Sequence, residues 1–116
     1  MKTIEIVNWD ECFENSESRK YKNLKWLPLP NKHDGEGWAR LWQLKNSSEI
    51  FAAFILMLEL ASKCPKRGVI NKDGKPLGPE EMALKTRAPR AIFELAIQPL
   101  IEIGWIKMID HPKKSP

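Results

Sequence analysis

Two cysteines and two histidines are the residues from which a metal site or thiol chemistry would have to be built. Cys12, His33, Cys64 and His111 are scattered along the chain, with no paired-ligand spacing among them. A structural zinc site needs three or four ligands at workable spacing, so no metal is expected. His33, beside Asp34, reads as a turn residue hydrogen-bonded locally. Cys64 is followed by Pro65 and lies among Lys63, Lys66 and Arg67, a setting in which a thiol pKa can fall. No base and orienting group accompany it, so an inert cysteine at a helix end is the expectation. Adjacent carboxylates occur at Asp10–Glu11 and Glu80–Glu81. The first pair sits in an irregular start and the second opens a helix, so neither is held across a cleft. The GEG at 35–37 lacks the lysine and the length of a phosphate-binding glycine loop. The residues therefore point away from an enzyme and from any cofactor.

Charge is the stronger signal. The 116 residues carry 19 basic and 15 acidic side chains, a net of +4. Residues 1–17 hold five acids against Lys2, a net of −4, and residues 18–116 hold 18 basic against 10 acidic, a net of +8. A basic body attracts polyanions, and an acidic start can mask or dock on it. The length suits one domain. The start has no long apolar run after its lysine, so no signal peptide is expected. The apolar run from Ile50 to Leu58 is well short of a membrane span. Two thiols without a disulfide framework fit a cytoplasmic protein.

The elements that would carry this charge follow from periodicity and breakers. Residues 3–8 alternate loosely as a short edge strand. Trp9 and Phe13, four apart, share a helical face that Asn8 could cap. Residues 14–20 are polar and read as exposed or mobile. Residues 21–37 are too rich in proline and glycine for a long helix and too apolar for a free linker, which predicts an extended strap over the core. A short helix is expected at 38–45, with Trp38 and Trp42 on one face. Ser47 or Ser48 would cap a helix at 49–63, apolar on nearly all sides and therefore central. A strand at 68–71 and a turn at 72–75 precede a helix at 79–86. Pro79 suits the first turn of that helix, and its buried set is Leu77, Met82 or Ala83, and the flank of Leu84. A second helix at 89–101 has Ile92, Leu95, Ala96 and Pro99 as its apolar stripe. A strand at 105–109 is expected to pair antiparallel with 68–71, with the wing absent, truncated or replaced by residues 3–8.

This order is a helix-turn-helix running into a strand. In such a unit the second helix enters the major groove by its N-terminal residues. Arg90, Glu94 and Gln98 share its outer face. Lys85 and Arg87 can hold phosphates, and Lys72 and Lys75 can flank a duplex. Glu94 repels phosphate unless it meets a cytosine amino group.

The segments KWLPLPNKHDGEGW (25–38), LELASKCPKRGV (58–69), LGPEEMALKTRAP (77–89) and IGWI (103–106) resemble, in order and spacing, an uncharacterised phage or prophage protein family. Its members look like the N-terminal winged-helix domain of phage replisome organisers. The resemblance covers most of residues 21–109. It implies a DNA-associated, replication-linked role, often with a separate C-terminal region. It does not account for the acidic start.

The expectation is thus a mainly α winged helix-turn-helix with a small two- or three-stranded sheet and a reduced or absent wing. Residues 1–20 would be an acidic arm, 21–110 the domain, and 111–116 a tail. The function expected is duplex DNA binding, with contacts to replication proteins. The alternative is a protein-interaction or oligomerisation module without DNA contact. Surplus aromatic surface at Trp9, Phe13, Trp38 and Trp42 suggests a homo-oligomer, with a dimer favoured.

Overall fold

The computed structural model describes residues 2–15, 17–20, 26, 35–72 and 74–110. Most of the expected strap, together with His33, Asp73 and the 111–116 tail, lies outside the described residues; Trp26 within it is 68% exposed rather than packed on the core as expected. The elements run β1 (Lys2–Ile6), α1 (Trp9–Cys12), a 3-10 turn (Ser18–Lys20), α2 (Glu36–Trp42), α3 (Ser47–Ser62), β2 (Asn71–Lys72), β3 (Lys75–Pro76), α4 (Pro79–Thr86), α5 (Arg90–Glu102) and β4 (Ile106–Asp110). The described chain is mainly helical with a small antiparallel sheet.

α3 forms the middle of the core because it has apolar side chains on almost every face. Ile50, Ala53, Phe54, Met57, Leu58 and Ala61 are buried, while Phe51, Ile55 and Leu56 are half-buried. α4 and α5 pack against it and against each other. The buried side of α5 is centred on Phe93, Ala96 and Leu100. This corrects the expected stripe, because Ile92, Leu95 and Pro99 are only half-buried. The helix is rotated so that its one aromatic ring, Phe93, reaches full burial at 0% exposure. Pro99 falls in the last turn, where the helix continues past it.

The cap assignments also change. Asn46, not Ser47 or Ser48, precedes α3, in the left-handed region at φ 62°. Asn8 does the same for α1 at φ 56°. Neither side chain bonds the helix end; asparagine serves at both because it tolerates positive φ better than most residues. At α4, Glu81 accepts a hydrogen bond from the Gly78 N–H at 3.2 Å. Gly78 has no side chain to reciprocate, so this is half of a capping box. α5 ends in a Schellman arrangement: Trp105 N–H donates to Leu100 O at 3.0 Å and Gly104 N–H to Ile101 O at 3.0 Å. Gly104 supplies the φ of 83° that this stop requires. The chain leaves it directly into β4.

The sheet differs from expectation in one informative way. Residues 68–70 do not pair with β4, because β1 lies between them. β1 runs antiparallel to β4 with Ile4 opposite Met108 and Ile6 opposite Ile106. On its other side Ile6 N–H donates to Gly68 O at 2.8 Å and Ile70 N–H to Ile4 O at 2.9 Å. The expected edge strand is therefore central. Ile4 and Ile6 explain why: their alternation presents an apolar face at 3% and 1% exposure, and a central strand also has both rows of backbone groups bonded.

Candidate nucleic-acid interface

α4 and α5 are separated by Arg87, Ala88 and Pro89. Arg87 adopts φ 60°, and its N–H donates to Ala83 O at 2.8 Å. A left-handed arginine is strained relative to glycine, so the turn is held by its surroundings. Pro89 then begins α5 with its φ already near the helical value.

Arg90, Glu94, Gln98 and Glu102 form the exposed ridge of α5 at four-residue spacing. Arg90 Nε lies 3.1 Å from Glu94 Oε1, and Gln98 Nε2 donates to Glu102 Oε1 at 3.5 Å. The first turn of α5 contains no acidic residue. Arg90 thus stands at the positive end of the helix dipole, an unfavourable place for a cation, and Glu94 one turn later offsets it. The hydrogen bond and charge of Glu94 push the Arg90 pKa further up. The N-terminal end of the ridge is cationic and its C-terminal end anionic.

Lys72 and Lys75 are both exposed and face each other across the β2–β3 hairpin. Lys85 approaches Cys64 at the end of α3, where its charge acts on the thiol. Burial nevertheless pushes the Cys64 pKa up, against the smaller opposing effects of an Asn71 backbone hydrogen bond and Lys85. The thiol donates to Leu60 O at 3.2 Å. Cys64 is thus a half-buried thiol whose pKa is raised, not lowered as its basic neighbours in sequence would allow. Among the described residues no group of three or more His, Cys, Asp or Glu is placed to hold a metal.

The candidate interface residues divide. Trp9 and Phe13 are buried at 5% and 6% exposure, their rings 5.3 Å apart and Phe13 6.5 Å from Phe54. They fill the chain's own core and offer no partner a surface, which corrects their assignment to an interface. Trp38 and Trp42 do share a face, packed edge to face at 5.4 Å with Phe51 beneath. Trp42 stays 44% exposed.

Sequence reasoning missed a buried polar cluster in the stretch expected to be exposed. The Glu14 side chain is 4% exposed; Oε2 lies 2.8 Å from Arg67 Nε and accepts from Trp9 Nε1 at 2.8 Å. Its Oε1 accepts from Ser18 Oγ at 2.7 Å. Arg67 also donates to Ser18 O at 3.2 Å. Burial pushes the Glu14 pKa up, but the Trp9 and Ser18 hydrogen bonds and the Arg67 charge outweigh it, leaving a net lowering. Next to this cluster is a groove of about 280 Å³ lined by Glu5, Asp10 and Glu11 and by Lys66, Arg67 and Lys107.

No family model, curated protein or solved structure matches this chain. Its function is therefore argued from its own residues.

Proposed function

We propose that this chain is a DNA-binding domain of winged-helix type that holds duplex DNA against the turn between α4 and α5. The observation carrying this reading is the strand order. In a winged helix the strand that follows the wing lies between the other two, antiparallel to both. β1 occupies that middle place between residues 68–70 and β4. The N-terminal strand would thus take the place of a third strand in the sheet behind the two helices. The fold alone does not imply the activity; the side chains at the turn support it. Arg87 and Lys85 would contact phosphates, while Arg90, Glu94 and Gln98 would face base edges. Arg90 suits guanine and Glu94 suits a cytosine amino group. A phage or prophage role in replication is the biological setting that the sequence resemblance favours.

The test is titration of labelled duplex and single-stranded DNA at two salt concentrations, with a light-scattering mass on the same sample. Duplex binding that weakens with salt is expected, and it should drop in the folded Arg87→Glu/Arg90→Glu variant. Unchanged affinity in that variant would reject this surface.

A second reading is self-association without DNA contact. It is favoured by Trp42, which is 44% exposed, and by Leu84, which is 75% exposed. A two-fold dimer through α2 would bury the Trp38–Trp42–Phe51 cluster. A strictly monomeric chain in sedimentation at high micromolar concentration would defeat it.

A further inference from the structure

Lys72 and Lys75 are directly opposite partners in a hairpin of two-residue strands. Like charges facing each other across strands repel and destabilise the pair. Both are exposed, and neither forms a salt bridge with a carboxylate among the described residues; Asp73 between them lies outside those residues. The repulsion calls for an explanation in function rather than in folding.

The surroundings supply one. Asn71, which opens the hairpin, makes a backbone hydrogen bond to Cys64 at the end of α3. Exposed Lys63 and Lys66 flank that cysteine in sequence. Lys85, in the last turn of α4, brings its charge to the same thiol. Three elements that approach one another near Cys64 therefore carry exposed lysines: the end of α3 with the loop after it, the hairpin and α4. Lys66 also lines the groove that contains Glu5, Asp10 and Glu11. Arg67, in the same loop, is turned away into the Glu14 cluster. Lys85 also stands two residues before Arg87, so this surface adjoins the α4–α5 turn. The outer ridge of α5, in contrast, carries Glu94 and Glu102 beside its single arginine.

We propose that Lys63, Lys66, Lys72, Lys75 and Lys85 form a phosphate-binding surface that grips the backbone of duplex DNA beside the groove that α5 addresses. This deepens the DNA-binding reading and rests on it. The division of labour follows from charge: a cluster of lysines suits a sequence-independent backbone contact, whereas a ridge containing carboxylates does not. Backbone contacts release counterions, so each lysine engaged should steepen the salt dependence by about 0.9 in the log–log slope.

The experiment uses the full chain and a fluorescein-labelled duplex of mixed sequence, titrated between about 50 and about 200 mM salt. The variant Lys63→Ser/Lys66→Ser/Lys72→Ser/Lys75→Ser should bind more weakly, with a slope shallower by up to about 3.6. A single Lys75→Glu change should weaken binding and also raise the melting temperature, because it turns a like-charge pair into an opposite one. A fall in melting temperature for Lys75→Glu would remove the strain argument and overturn the proposal. Wild-type slope and affinity in the quadruple variant, with binding still lost in Arg87→Glu/Arg90→Glu, would overturn this surface alone and leave the DNA-binding reading standing. Absence of duplex binding by the wild-type chain would overturn both. Binding of phosphatidylserine vesicles without duplex binding would assign the lysines to a lipid surface and equally overturn the proposal.

Discussion

Glu14 shows how far a single side chain can depart from its local context. It opens ENSESRK, a polar stretch directly after Phe13 whose own residues give no sign of burial. Its carboxylate instead ties the N-terminal segment to the loop after α3 through Arg67, Trp9 and Ser18. Removing one partner of a buried pair strands the other, so Glu14→Ala should cost about 3 kcal/mol in chemical denaturation. The pH dependence has a definite sign. The folded-state pKa lies below the ordinary value of 4.5, so the stabilisation is complete above that value and lost as pH falls through the lowered one. Melting curves through this acid range should show the loss in the wild type and a flatter profile in Glu14→Gln. Arg87 gives a second prediction at this scale. Arg87→Gly relieves a left-handed φ of 60° and should stabilise the domain by about 1 kcal/mol, while weakening duplex binding. A variant that melts higher and binds more weakly would separate the residue's structural cost from its use.

At the scale of elements, the decisive unit is β1 with α1 and the loop at 66–68. Gly68 has φ 97°, and a Cβ there would stand 2.8 Å from Trp9 Cβ and Cγ. The same residue's carbonyl receives the Ile6 N–H. Gly68→Ala should therefore combine backbone strain with a clash and loosen β1 from the sheet, lowering stability by about 2 kcal/mol. Hydrogen exchange should show the amides of Ile6 and Ile70 losing protection before those of α3. The central helix supplies the comparison. Phe54 is 7% exposed and packs its ring 4.9 Å from Trp105; Phe54→Ala should cost about 3–5 kcal/mol by the cavity it leaves. A melting shift near zero would show that this side of α3 is not core.

At the scale of the whole molecule, the exposed ring of Trp42 and the lysines of the hairpin lie on different elements among the described residues. The acidic start is bound into the sheet and its flank through Lys2–Asp110 at 2.6 Å, Lys107–Glu5 at 3.4 Å and the Glu14 cluster. It is thus part of the fold rather than a loose mask over the basic body. Exposed lysines include those at the α3 end, the hairpin and α4, and the most exposed aromatic rings among the described residues are Trp26 and, on α2, Trp42. If the two surfaces act independently, Trp42→Ser should reduce any dimer mass in sedimentation without altering the salt slope of DNA binding. Coupled loss of both would show that association and binding use one face.

The sequence by itself determined most helices and their breaks. Apolar periodicity with Pro79, Pro89 and Gly104 as punctuation marks acts within a few residues, and α3, α4 and α5 lie within two residues of where it put them. The outer ridge of Arg90, Glu94 and Gln98 was legible for the same reason, since four-residue spacing on a helix fixes a shared face. Tertiary structure alone decided which strand sits in the middle of the sheet, because pairing partners far apart in the chain leave no local spacing to read. It also decided the fate of Trp9 and Phe13: aromatic residues serve core and interface alike, and only the position of α1 against Phe54 sends them inward. The burial of Glu14 and the approach of Lys85 to Cys64 belong to the same class. Each depends on side chains brought together from distant segments, where Coulomb energy and desolvation act on distances that no sequence spacing encodes.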